Sequence, residues 1–141
     1  MKHQMDLVQE FHQVMQVHTP SRPTMPSPEV HNLRFRLIDE EAQELAESTN
    51  LIQYLDAIGD LLYVVNGAAL AAGFTPAQVD AAFAEIHRSN MSKLWSADEI
   101  DCIPADCRAV NVGDGRYIVR RNDGKIIKSP SYSPADLRGI V

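Results

Sequence analysis

Leu7, Val8, Phe11, Val14 and Met15 recur at intervals of three and four, the period of one helical face, and predict a first helix over residues 6–17. Pro20, Pro23, Pro26 and Pro28 make the next stretch a loop. Ser27 is placed to cap a second helix with Pro28 at its first position, and that helix should run to about residue 48. Its apolar stripe is Val30, Leu33 and Leu37. The polar break Ser48-Thr49-Asn50 opens a third helix over 51–72, which Gly73 ends. Thr75 and Pro76 start a fourth, running to residue 89 or 90. Beyond Leu94 the pattern changes. Residues 95–115 read as loop, and 117–120 and 125–128 flank Arg121-Asn122-Asp123-Gly124, a β-hairpin signal. The expected fold is all-α, a four- to five-helix bundle core over 1–94. Residues 95–141 are expected to add a loop insertion and a small β-hairpin and tail, packed on the same domain.

A chain of 141 residues suits one domain with its own core. The net charge of -6 argues against a nucleic-acid partner. No run is long and apolar enough to predict a membrane span or a secretory signal, so a cytoplasmic setting is expected, in a bacterium or a phage-infected host. Cys102 and Cys107 lack the further ligands of a zinc site and are expected to be reduced thiols.

Charge changes the picture more than composition does. Seven carboxylates fall between residues 39 and 60 (Asp39, Glu40, Glu41, Glu44, Glu47, Asp56 and Asp60), and no lysine or arginine occurs between Arg36 and Arg88. Solvated helices usually interleave signs, because like charges one turn apart repel. Continued at its own spacing, the stripe of the second helix reaches Glu40 or Glu41 and then Glu44. Asp56 and Asp60 are four apart on the third helix, and Asp60 lies in the apolar run Ile58-Gly59-Asp60-Leu61-Leu62-Tyr63-Val64-Val65, which reads as buried. Two helices joined by a short connection pack antiparallel, which sets Glu40, Glu41 and Glu44 opposite Asp56 and Asp60. Such a set of hard oxygens suits Mg²⁺ or Mn²⁺, whereas Asp39 and Glu47 read as solvated surface. The histidines are scattered, without the Glu-x-x-His pairs of di-iron bundles.

The segments Arg-Leu-Ile-Asp-Glu-Glu-Ala-Gln-Glu-Leu (36–45) and Asp-Ala-Ile-Gly-Asp-Leu-Leu-Tyr-Val-Val (56–65) resemble the paired motifs of the all-α nucleotide pyrophosphohydrolases, which include MazG, dimeric dUTPases and phosphoribosyl-ATP pyrophosphohydrolases. Glu40, Glu41 and Glu44 meet the first motif, Glu-Glu-x-x-Glu. In the second, usually Glu-x-x-Asp, Asp60 matches but Ala57 stands at the Glu position, and Asp56 is the substitute, as in the phosphoribosyl-ATP pyrophosphohydrolase-like branch. Glu-Ile-His-Arg-Ser-Asn-Met-Ser-Lys-Leu (85–94) and Gly-Lys-Ile-Ile-Lys-Ser-Pro-Ser-Tyr-Ser-Pro (124–134) are similar to later segments of that branch, with 95–110 an insertion.

The resemblance implies two or three Mg²⁺ (or Mn²⁺) ions held by Glu40, Glu41, Glu44, Asp56 and Asp60. Glu40 or Glu41 would be the catalytic base, and a nucleoside triphosphate would be split into monophosphate and pyrophosphate. Arg36, Arg88, Asn90, Lys93, Lys125 and Lys128 are the candidates for the phosphates, and Tyr63 and Asn66 for the base. Trp95 reads equally as a base contact or a core aromatic. Asn66, which donates and accepts, favours a purine such as dGTP or GTP, with dUTP or dCTP the alternative. A homodimer or homotetramer is implied, and a non-catalytic nucleotide-binding regulator of the same fold is the rival reading.

Overall fold

The computed structural model describes residues 2–141. Its described residues form four α-helices, α1 (Gln4–Val14), α2 (Pro28–Glu47), α3 (Leu51–Ala71) and α4 (Pro76–Met91), and strands β1 (Trp95–Ser96), β2 (Cys107–Gly113) and β3 (Arg116–Arg121). The chain divides into two compact units, one ending at Val79 and one spanning Asp80–Val141, so the division falls inside α4.

The caps act as the sequence predicts. Ser27 accepts from the Val30 amide at the start of α2, and Asn50 accepts from the Ile52 and Gln53 amides at the start of α3. Thr75 and Gln78 bond reciprocally at the start of α4, a capping box. The first helix ends earlier than expected, at Val14, with Gln16 in the left-handed region at φ 55°.

In the helical unit α1 and α2 both pack on α3. Met5, Val8 and Leu70 are its buried centre, flanked by Ala69, Phe74 and Val79. That centre is small. No residue of α2 is fully buried, and Phe35, Leu51 and Ile52 are 62%, 86% and 84% exposed. The stripe that was expected to point inward along α2 is therefore only partly covered, and Asp60, expected in a buried run, is exposed. No single helix among the described residues is long and apolar enough to cross a membrane.

The second unit holds an antiparallel sheet of order β1-β3-β2. The expected hairpin forms at Asp123-Gly124 as a short one, in which the Arg121 amide donates to Lys125 and the Ile127 amide to Val119 around the Arg120–Ile126 bridge. A longer hairpin that was read as loop precedes it, turning at Asp114-Gly115 between β2 and β3. Both Asp-Gly pairs carry the same turn signal; the first has a strand-length partner on each side, whereas the second faces a short run followed by Pro130. Trp95 is buried, and its indole donates to the Ile127 carbonyl at 2.9 Å, which makes it a core aromatic of this unit.

Gly73 ties the proline loop to α3. Its φ is +77°, its amide donates to Leu70, and Thr24 of the loop donates to the Ala72 carbonyl beside it. A Cβ on Gly73 would lie 2.2 Å from the Arg22 carbonyl oxygen, a collision with backbone. Gly73→Ala is therefore expected to destabilise the protein by about 2 kcal/mol or more, from left-handed strain and displaced loop together. Urea unfolding against the unsubstituted protein measures it.

Candidate functional site

The connection 48–50 is short, and α2 and α3 run antiparallel from it and pack on one another. Gly67 of α3 meets the end of the Arg34 side chain of α2: a Cβ on Gly67 would lie 3.2 Å from Arg34 Nη1. Seven residues closer to the connection on each helix, Asp60 is near enough for its charge to act on Glu41. The electrostatics agree. The Glu41 carboxyl is pushed above its usual range, first by burial and then by the charges of Glu44, Asp60, Glu40 and Asp56. All five predicted carboxylates thus share one field, with Glu41 half-buried at its centre and the other four exposed. None of the ion pairs among the described residues includes any of them.

Two hollows border this cluster. One, of about 280 Å³, is lined by Glu44, Asp56 and the connection; the other, of about 540 Å³, by Asp56, Asp60 and the apolar first turns of α3. No three carboxylates among the described residues already converge on one point at metal-holding distance. The donor set nonetheless fits a hard divalent cation. It is all oxygen, it is accessible, and its central member is penalised as an anion for want of countercharge. Asp39 and Glu47 are exposed, and Glu47 accepts from Gln43.

Tyr63 and Asn66 come together with Leu7, Val8 and Leu62 around a cavity of about 150 Å³ between α1 and α3, where Tyr63 meets Phe11 edge-on at 5.8 Å. Arg36 is exposed and forms no ion pair with Glu40. By the 100° step of a helix it projects within about 40° of Glu40 and about 140° from Glu41.

In the second unit, Asn90, Lys93 and Lys128 gather around Tyr132. Lys93 donates to Asn90 Oδ1 at 2.8 Å, and Lys128 Nζ lies 4.3 Å from the centre of the Tyr132 ring. The phenol is held below its usual pKa by the Ser89 hydroxyl and by the charges of Lys128 and Lys93. Arg88 is committed otherwise: it grips Glu85 through two donors and also donates to the Pro134 carbonyl. Lys125 is exposed in the turn after β3. Glu99, from the inserted segment, accepts from Ser96 and Ser131 and is held at a pKa of about 2 by those bonds, so the insertion braces the tail that carries Lys128.

Sequence reasoning passed over His12 and Arg34. His12 is buried with Nδ1 unpartnered, and Arg34 is half-buried with Nε unpartnered. The available signal was a cation at position 34 on the stripe of Val30, Leu33 and Leu37.

The sequence model of the phosphoribosyl-ATP pyrophosphohydrolase family matches residues 8–90, more than half of the chain, and the protein belongs to that family. No curated protein matches the chain. The matched span holds every carboxylate of the cluster and ends at Asn90, before the sheet.

A raised Glu41 pKa means that the folded state takes up this proton at a higher pH than the unfolded chain does. Glu41 therefore opposes folding of the metal-free protein near neutrality, and the opposition fades as pH falls through its folded-state value. Glu41→Gln is expected to stabilise the metal-free protein at pH 7 by up to about 1 kcal/mol, and by less at pH 5. Urea midpoints at the two pH values, in EDTA, decide it.

Proposed function

We propose that this member of the phosphoribosyl-ATP pyrophosphohydrolase family hydrolyses a nucleoside triphosphate to monophosphate and pyrophosphate with Mg²⁺ or Mn²⁺, favouring a purine such as dGTP. The observation that carries the reading is that Glu40, Glu44, Asp56 and Asp60 all act by their charge on Glu41, and none of the five takes part in an ion pair among the described residues. Family membership supports pyrophosphohydrolase chemistry in general.

In this reading the five carboxylates hold the cations. A bound divalent ion supplies charge neutralisation for the triphosphate and lowers the pKa of a water. Glu40 or Glu41 takes the proton of the attacking water. A bond forms from the water oxygen to the α-phosphorus, and the bond to the bridging oxygen breaks, releasing pyrophosphate. Lys93, Asn90 and Lys128 supply phosphate contacts, with Arg36, Arg88 and Lys125 as further cations. Tyr63 and Asn66 meet the nucleoside. The setting is cytoplasmic. Pyrimidine dNTP hydrolysis is the alternative, and a regulator that binds nucleotide without turnover is the reading from another class.

A panel of NTPs and dNTPs with Mg²⁺ or Mn²⁺, scoring pyrophosphate separately from phosphate, tests this. At least one nucleotide is expected to give pyrophosphate, EDTA to stop it, and Glu41→Gln or Asp60→Asn to lower kcat at least about a hundredfold. Tight binding without turnover on any nucleotide favours the regulator, and release of single phosphates contradicts attack at the α-phosphorus.

The reading includes a homodimer or homotetramer. Its support is the apolar surface of α2 and α3, where Phe35, Leu51, Ile52 and Leu55 are 62–86% exposed. Light scattering is expected to give a mass of two or four chains; a monomer at micromolar concentration refutes this part alone.

A further inference from the structure

His12 and Arg34 meet beside Gly67, and each leaves one enclosed nitrogen without a partner in the protein. His12, on α1, is 3% exposed, and its Nδ1 has no partner. Arg34 has an enclosed, unpartnered Nε and takes part in none of the ion pairs among the described residues. Gly67 makes room for both: a Cβ there would lie 3.2 Å from Arg34 Nη1 and 3.4 Å from His12 Nε2. Burial, and then the Arg34 charge, lower the pKa of the imidazole, so the charge of the pair is the guanidinium's. A buried donor without an acceptor costs free energy that an acceptor on a ligand would offset.

Arg34 also lines a cavity of about 310 Å³ enclosed by the proline loop, the first turns of α2 and the end of α3. The other walls are mainly apolar, among them Val17, Pro20, Met25, Val30 and Leu33. A mainly apolar chamber with one guanidinium in its wall, beside His18, Thr24 and Ser27, suits a flat ring bearing adjacent acceptors better than a free hydrated anion. Arg34 and Glu41 are seven residues apart on one face of α2, two turns or about 10 Å along the axis. A nucleotide reaches across such a span when its base is at one end and its phosphates at the other.

We propose that Arg34 reads the nucleobase, donating to the adjacent O6 and N7 acceptors of a guanine seated in this cavity, with the phosphates at the carboxylates two turns away. The inference rests on the hydrolytic reading above, and it seats the base at Arg34 in place of Tyr63 and Asn66, which line a different cavity. Guanine offers this acceptor pair, adenine replaces O6 with a donor, and 7-deazaguanine lacks N7.

The test compares dGTP, 7-deaza-dGTP, dATP and dCTP on the full chain, unsubstituted and as Arg34→Gln. The unsubstituted protein is expected to show kcat/KM for dGTP about tenfold or more above that for 7-deaza-dGTP and dATP. Arg34→Gln is expected to collapse the dGTP-to-dATP ratio towards one. Equal use of dGTP and 7-deaza-dGTP overturns the proposal, and so does an Arg34→Gln variant that loses activity on all bases alike. If circular dichroism shows the variant unfolded, the 7-deaza comparison decides alone. If no nucleotide is turned over, the hydrolytic reading fails, and equilibrium binding of the same four nucleotides with Mg²⁺ judges Arg34 separately: preference for dGTP over 7-deaza-dGTP supports it, and indifference overturns it.

Discussion

The structure depends on like charge held across one helical hairpin. Asn50 caps α3 immediately after the Ser48–Thr49 break, and this short connection fixes how α2 and α3 face each other. A shift of one residue on either helix would turn its face by about 100°. The same register places Glu41 among four carboxylates at one level and Arg34 against Gly67 two turns away. The anionic and cationic features of the seam therefore have one cause.

That hairpin is held by little apolar burial of its own. Met5 and Val8 of α1 close on Leu70 near the end of α3, far from the carboxylates, and towards the connection Leu51, Ile52 and Leu55 face solvent. The end of the unit that bears the most charge repulsion also has the least core beneath it. An isolated chain should be least stable there, which is why cation binding and burial against a further copy are the two additions that the energetics of this unit ask for.

The helices were legible because their signals are local: Ser27 and Pro28, Asn50, Gly73, and the Thr75–Gln78 pair each mark an end within one turn. The carboxylate cluster was legible because charge without countercharge is visible in sequence. Burial was not. The stripe of α2 predicts which residues share a face, but how fully that face is covered depends on neighbours that periodicity does not supply, so Asp60 was placed too deep. The short hairpin at Asp123-Gly124 was legible from its turn, whereas β2 was read as loop, although the Asp114-Gly115 turn carries the same signal. Arg34 was passed over because it stands farther from the acidic motif than Arg36, yet seven residues before Glu41 it shares that residue's face.

Stability offers no account of where the acids stand. Glu44 and Glu47 occupy the last turn of α2, where the helix dipole disfavours negative charge, and no basic residue balances them there. Glu41 is disfavoured again by burial and by four neighbours of its own sign. Three unfavourable contributions of independent origin fall on the same few residues, and no ion pair among the described residues offsets them: Lys2 pairs with Glu10, Arg36 stands one turn before Glu40 without pairing with it, and Arg34 is two turns from Glu41. A divalent cation at Glu41, as proposed, would reverse two of the three contributions at once, since it would screen the neighbours and set a positive charge towards the negative end of α2. The arrangement is costly as it stands, and the free energy that such an ion would return is what would make the fold respond to metal.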